Sequence, residues 1–143
     1  MIRFEGRVFR SGKFWAIEVP ILGGVTQGRT KKDALVMIAD AIEAPAERPG
    51  FSVMVYPGVG GCFEVGSSTE GALTALLLRR QRVKHGLTPA DVSKRLGAKS
   101  LNAYARYEQG RATPTIERLS RLLSAVSAGR GFLLREAQAN KVA

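Results

Sequence analysis

Residues that start and stop helices recur through the second half of this chain at intervals too short for any long helix. That punctuation constrains the fold more than any other feature. Ser67 and Glu70 have capping-box spacing before a helix that runs to about His85, and Gly86 follows where a left-handed closing residue is needed. Thr88, Pro89 and Asp91 then supply a cap, a first-position proline and the acidic partner of a second box. That helix ends near Leu96, at Gly97. A third spans about 101–109 and is closed by Gly110. Pro114 and Thr115 open a fourth, which carries Ile116, Leu119, Leu122, Leu123 and Val126 on its apolar side. Gly129 and Gly131 follow, and residues 136–143 are expected to fray. Two short helices joined by a glycine turn and packed by flanking helices form the unit that reads double-stranded DNA.

Charge separates the two halves. The net charge is +10, but residues 1–70 hold eight Lys/Arg against eight Asp/Glu, whereas residues 71–143 hold fourteen against four. A basic half attached to a neutral one suggests a polyanionic partner for the basic half. Ten of the fourteen are arginine, whose planar fork suits phosphates and guanine edges. A merely soluble basic surface gives the same count, so charge supports the reading and does not decide it. With 45% apolar and 24% charged residues the chain is globular and not disordered, and its 143 residues make one ordinary domain or two small ones. Cys62 is the only cysteine, which excludes an internal disulfide and fits a reducing cytoplasm. The longest nearly apolar run, 72–78, is interrupted by Thr74 and is far too short to cross a membrane. The first residues alternate apolar with charged and contain no signal-peptide core.

The first half has a different period. Over 2–9, Ile2, Phe4 and Val8 alternate with Arg3, Glu5 and Arg7, the pattern of a half-buried strand. Ser11-Gly12 turns the chain, and 13–19 puts Trp15, Ile17 and Val19 on one face, so the two runs read as a hairpin. Pro20 ends the second strand because it has no N–H for the ladder. Gly23-Gly24 leads into a brief extended stretch over 25–27. Thr30 then caps a helix, with Asp33 three residues on and Leu35, Ile38 and Ile42 along one stripe. Pro45, Pro49 and Gly50 break it. Residues 51–56 and 62–65 read as further strands around a glycine-rich hairpin turn, Gly58-x-Gly60-Gly61. The expected organisation is a small α+β domain over 1–66, an all-α helix-turn-helix domain over 67–128, and a tail over 129–143.

Specific residues sharpen this outline into two family resemblances. Leu78-Arg79, Arg82, Gly86-Leu87-Thr88, Leu96-Gly97, Tyr107-Glu108-x-Gly110 and Pro114 follow one pattern, so the segment resembles the Xre-like repressor domains over about 60 residues. The resemblance implies that the helix over 101–109 enters the major groove. It also implies an ion pair between Arg82 and Glu108 that holds the first helix to the end of the third. The chain carries one residue more than the usual spacing at Ala98-Lys99-Ser100, so the register is anchored from Glu108 and Gly110. That anchoring puts Tyr104 and Tyr107 inward and leaves Asn102, Arg106 and Gln109 outward as base-reading candidates. Asn pairs bidentately with adenine and Arg with guanine. Lys99, Ser100 and Arg111 flank the helix and are candidates for phosphate contacts, which fix position without reading sequence. Reading few base pairs alone, such a domain is expected to act as a homodimer or higher homo-oligomer.

The first half carries Phe14-Trp15-Ala16-Ile17-Glu18-Val19-Pro20, then Thr26-Gln27-Gly28-x-Thr30, then Ala34 within a helix. It resembles the HicB antitoxin domain over about residues 2–56, and a helix-turn-helix often follows that domain, in the order found here. The resemblance implies a degenerate ribonuclease H-like βββαβ fold that binds and blocks a HicA-like toxin, a small ribonuclease, while the DNA-binding half represses the shared operon. An RNA-cutting toxin should be basic, so Glu18, Asp33, Asp40, Glu43 and Glu47 are candidate toxin-binding residues; each could equally serve only solubility.

Catalysis is not expected. A ribonuclease H-type enzyme needs several carboxylates clustered on strands to hold two metals, and these strands carry Glu5, Glu18 and, on a later short strand, Glu64. His85, beside the helix-ending Gly86, reads as a capping cation or surface residue and not as a ligand or base. Cys62 has no partners for a metal site, and no cofactor is expected. The leading expectation is an antitoxin that also represses its operon. The second is a stand-alone transcriptional regulator whose first half senses a small ligand.

Overall fold

The computed structural model describes residues 1–137, which fall into two compact units, one built on Met1–Glu70 and the other on Gly71–Arg135. The boundary comes four residues later than the sequence suggests. Residues 138–143, most of the segment expected to fray, lie outside the described residues.

In the first unit the chain runs β1 (Arg3–Ser11), β2 (Phe14–Val19), β3 (Gly24–Gly28), α1 (Lys31–Glu43), β4 (Met54–Pro57) and β5 (Cys62–Gly66). The strands form one sheet in the order β3-β2-β1-β5-β4, and every neighbouring pair is antiparallel. The period-2 pattern holds: Phe4, Gly6 and Val8 are buried while Glu5 and Arg7 are exposed. Gly12 and Lys13 make the two-residue turn between Ser11 and Phe14, which pair across the hairpin. The brief extended stretch after Gly23-Gly24 is a full edge strand. The glycine-rich segment closes the hairpin between β4 and β5, where the Gly58 N–H donates to the Cys62 carbonyl at 2.9 Å. The second half of this unit thus supplies two strands, giving βββαββ where the family resemblance implies βββαβ.

Helix α1 begins where Thr30 Oγ1 accepts from the Asp33 N–H at 3.0 Å. It lies across β1, β2 and β3 on the face that carries Ile17 and Val19. Its buried stripe is Ala34, Ile38 and Ile42; Leu35, expected in that stripe, is half-buried. The cause is the closeness of the helix to β3. A Cβ on Gly28 would strike the α1 backbone at Ala34, so the helix seats directly on the strand at a position that only glycine can occupy. Phe51, expected to open a strand, lies outside β4. The Phe51 N–H donates to the Arg48 carbonyl at 3.2 Å and the Val53 N–H to Glu43 Oε1 at 2.6 Å, so local partners take the place of a ladder.

The second unit contains most of α2 (Glu70–Lys84), then α3 (Pro89–Arg95), α4 (Ala105–Glu108) and α5 (Ile116–Val126). Helix α2 is buried without interruption from Ala72 to Leu78. Ser67 is not its cap: the helix starts at Glu70, and Ser67 Oγ accepts from the Thr69 N–H at 3.1 Å. Helix α3 opens with a complete capping box, the Thr88 N–H donating to Asp91 Oδ2 at 2.8 Å and the Asp91 N–H to Thr88 Oγ1 at 3.1 Å. One closure ends α2, α3 and α4 alike. At Gly86 (φ 67°) the Leu87 N–H reaches the Arg82 carbonyl at 3.1 Å, and Gly97 and Gly110 repeat the motif. Leu78, Val92, Tyr104, Leu122 and Val126 are fully buried and form the core. Each large apolar side chain buried in this way stabilises the unit by about 1.5–3 kcal/mol relative to exposure.

Two further expectations fail here. The third helix is confined to Ala105–Glu108, and residues 101–104 form turns. Ile116 is 88% exposed because it takes the first position of α5, whose buried side begins only at Leu122; Leu119 is half-buried.

Candidate nucleic-acid interface

The site is assembled around one ion pair. Arg82 Nε donates to Glu108 Oε2 at 2.7 Å and Arg82 Nη2 to Glu108 Oε1 at 2.6 Å, a bidentate fork, while Arg82 Nη1 donates to the Leu87 carbonyl at 2.7 Å. One guanidinium therefore ties the end of α2, the turn into α3 and the end of α4. Its side chain is 14% exposed and that of Glu108 10%. The hydrogen bonds that Arg82 donates to Glu108 raise its pKa further, so the guanidinium stays charged. Tyr104 is completely buried beside this pair. Burial first, and then the Glu108 carboxylate, pushes its phenol far above the ordinary value. Its hydroxyl has no geometrically acceptable hydrogen-bond partner among the described residues.

The approach to α4 is shaped by a buried serine. Ser93, fully buried on α3, donates through Oγ to the Leu101 carbonyl at 2.9 Å and accepts from the Tyr104 N–H at 3.2 Å. Ser100 Oγ accepts from the Asn102 N–H at 3.2 Å. These bonds satisfy the backbone that a longer helix would have used, and so hold residues 101–104 as turns.

The candidate DNA residues fall on α4 and on the segments that flank it in the chain. Asn102 sits in the turn, Arg106 on α4 and Gln109 at its C-cap, all exposed; Lys99, Ser100 and Arg111 on either side are exposed too. The Ser100 hydroxyl already accepts one bond and still has its proton to donate. Tyr107 is half-buried, and its ring draws two cations, the Arg106 guanidinium at 5.9 Å and that of Arg118 at 5.6 Å from the centroid. Arg118 was not singled out from the sequence. Its only local signal is its place three residues after the Thr115 cap, to which its N–H donates at 3.2 Å. Between α3 and α5 a shallow cleft of about 280 Å³ carries a further basic pair, Arg95 and Arg121, with Arg95 Nη1 donating to the Ala125 carbonyl at 3.1 Å.

The five carboxylates considered for toxin binding are not gathered on one surface. Glu18 follows Ile17 on β2 and so faces away from α1, where it pairs with Arg7 at 2.9 Å. Asp33 and Asp40 are exposed on α1. Glu43 is occupied by the Val53 N–H, and Glu47 is exposed in a left-handed turn conformation, φ 48°. His85 Nδ1 donates to the Gln81 carbonyl at 2.7 Å, and Cys62 is a free, exposed thiol. Among the described residues, no three His, Cys, Asp or Glu side chains group as metal ligands, and no helix is long and apolar enough to cross a membrane.

Residues 78–126 match the helix-turn-helix family, from within α2 to the last residue of α5. No curated protein compared with the chain matches it. The family match points to a DNA-binding transcriptional regulator, and no catalytic family is indicated.

Proposed function

We propose that this chain is the antitoxin of a type II toxin–antitoxin system. Its first unit binds and neutralises a HicA-like ribonuclease toxin, and its second represses the shared operon by binding operator DNA. The observation that carries the reading is the joining, in one chain and in this order, of a charge-balanced sheet-and-helix unit to a strongly basic helix-turn-helix. Three antiparallel strands followed by a helix, with T-Q-G-x-T leading into the Thr30 cap, support a degenerate ribonuclease H-like origin for the first unit. Asn102, Arg106 and Gln109 read bases, while Lys99, Ser100 and Arg111 hold phosphates. Arg82 and Glu108 keep α4 in position for this. Asp33, Asp40 and Glu47, exposed on α1 and just beyond it, are the better-placed acidic contacts for a basic toxin; Glu18 and Glu43 already have partners within the unit. The protein acts in the cytoplasm as at least a homodimer, because one such reader covers one half-site and half-sites lie about one DNA turn apart.

Co-expression with a HicA-like toxin tests the reading. The chain is expected to restore growth and to co-purify with the toxin. Continued toxicity with no complex recovered would refute the antitoxin role while leaving the DNA-binding assignment standing.

A further inference from the structure

Leu101 is 62% exposed in the turn that leads into α4, beside the exposed polar residues Lys99, Ser100 and Asn102. A single exposed leucine is ordinary; the way this one is held is not. Had the helix begun at 101, Leu101 would share a face with Tyr104 and Ala105, three and four residues on, and would point toward the core. Ser93 prevents that by binding the Leu101 carbonyl and the Tyr104 N–H at once. The backbone of Leu101 is therefore anchored to the fully buried Ser93 while its side chain is turned out. Leu101 thus lies in the turn four residues before α4, on the N-terminal side of the helix, and it is the N-terminal end of a recognition helix that meets base edges in the major groove.

The neighbouring side chains leave thymine without a matching contact of its own. Asn102 suits adenine and Arg106 suits guanine, but thymine differs from the other bases in the major groove by its C5 methyl, which only an apolar surface recognises. We infer that Leu101 is a base-reading residue that packs on the C5 methyl of a thymine in the operator. The inference rests on the DNA-reading assignment of the second unit and adds a specificity element to it.

The test uses the full-length protein and a duplex that it enriches from a random pool. Each thymine of that duplex is replaced in turn by deoxyuridine, which removes the methyl and keeps every hydrogen-bonding group. At one thymine per half-site, uracil is expected to weaken binding about fourfold, the ratio that follows from losing one buried methyl-sized group. Leu101→Ala is expected to lose the same factor on the thymine duplex and to bind thymine and uracil duplexes equally. Wild-type binding that is indifferent to uracil at every thymine, an enriched site without thymine, or a Leu101→Ala protein that still discriminates would each overturn the inference while leaving the DNA-reading assignment in place. A pool from which no duplex is enriched would overturn that assignment and the inference with it.

Discussion

The sheet-and-helix unit pairs cations with carboxylates across neighbouring strands, whereas the helical unit uses its ion pair to join two helices and leaves cations facing out. In the first, Arg7 meets Glu18 at 2.9 Å and Arg3 meets Glu64 at 3.1 Å, each pair on adjacent strands. In the second, Arg82 on α2 and Glu108 on α4 are about as buried as Arg3 and Glu64 but bridge two helices, while Lys99, Arg106 and Arg111 are exposed with no carboxylate partner among the described residues. Surface pairs such as Arg7–Glu18 contribute little, about 0–1 kcal/mol. A mostly buried fork holds helices in place, and breaking it strands a charge. The contrast assigns different work to the same residue types: local neutrality in one unit, and scaffold plus surplus positive potential in the other.

The sharpest way to break this comparison is to separate the units. A fragment of residues 1–70 is expected to retain toxin binding and lose DNA binding entirely, as read by pull-down and gel shift. A fragment that binds neither would mean that the first unit is not self-sufficient. Next in size is the buried pair. Arg82→Ala is expected to destabilise the second unit by about 3–5 kcal/mol in denaturant, because Glu108 is left without its partner. The double change Arg82→Met with Glu108→Leu is expected to cost less than Arg82→Ala alone. A double variant worse than the single one would mean that Glu108 is not the group stranded.

Smaller still is the cap of α3. Thr88→Ala is expected to cost about 1 kcal/mol in thermal or chemical unfolding. The smallest effect comes from its carboxylate partner. The hydrogen bond from the Thr88 N–H holds the Asp91 carboxyl below its ordinary value. Its contribution is therefore present above the unfolded-state pKa, near 3.8, and is lost as pH falls through the lower folded value. Asp91→Asn is expected to be less stable than wild type at neutral pH and to converge with it in acid. A difference that persists unchanged in acid would contradict the role given to Asp91.

What the sequence made legible was local. Thr30, Thr88 and Thr115 each cap the helix expected of them, because a hydroxyl reaching the amide three residues on needs no other part of the chain. Glycine closures and strand alternation are equally local. What stayed hidden depends on distant partners. The phase of α1 depends on how closely the helix packs on β3, where a Cβ on Gly28 would strike the backbone at Ala34. The shortening of α4 comes from Ser93, eight residues before Leu101 and on another helix. Arg118 joins the candidate interface only because Tyr107 lies against it. At the site, the outward set Asn102, Arg106 and Gln109 could be named from the closing Glu108 and Gly110, but the turn that carries Asn102 could not.

The most direct test of the central claim, that the basic unit reads DNA through α4, is a titration of Arg106→Ala and Arg111→Ala against an enriched operator and a scrambled duplex at two salt concentrations. Arg106→Ala is expected to weaken operator binding by about 1–3 kcal/mol and to leave scrambled DNA nearly unaffected. Arg111→Ala is expected to weaken both alike and to reduce the salt slope by roughly one. An Arg106→Ala protein that loses operator and scrambled DNA equally would contradict the claim that this face of α4 reads bases.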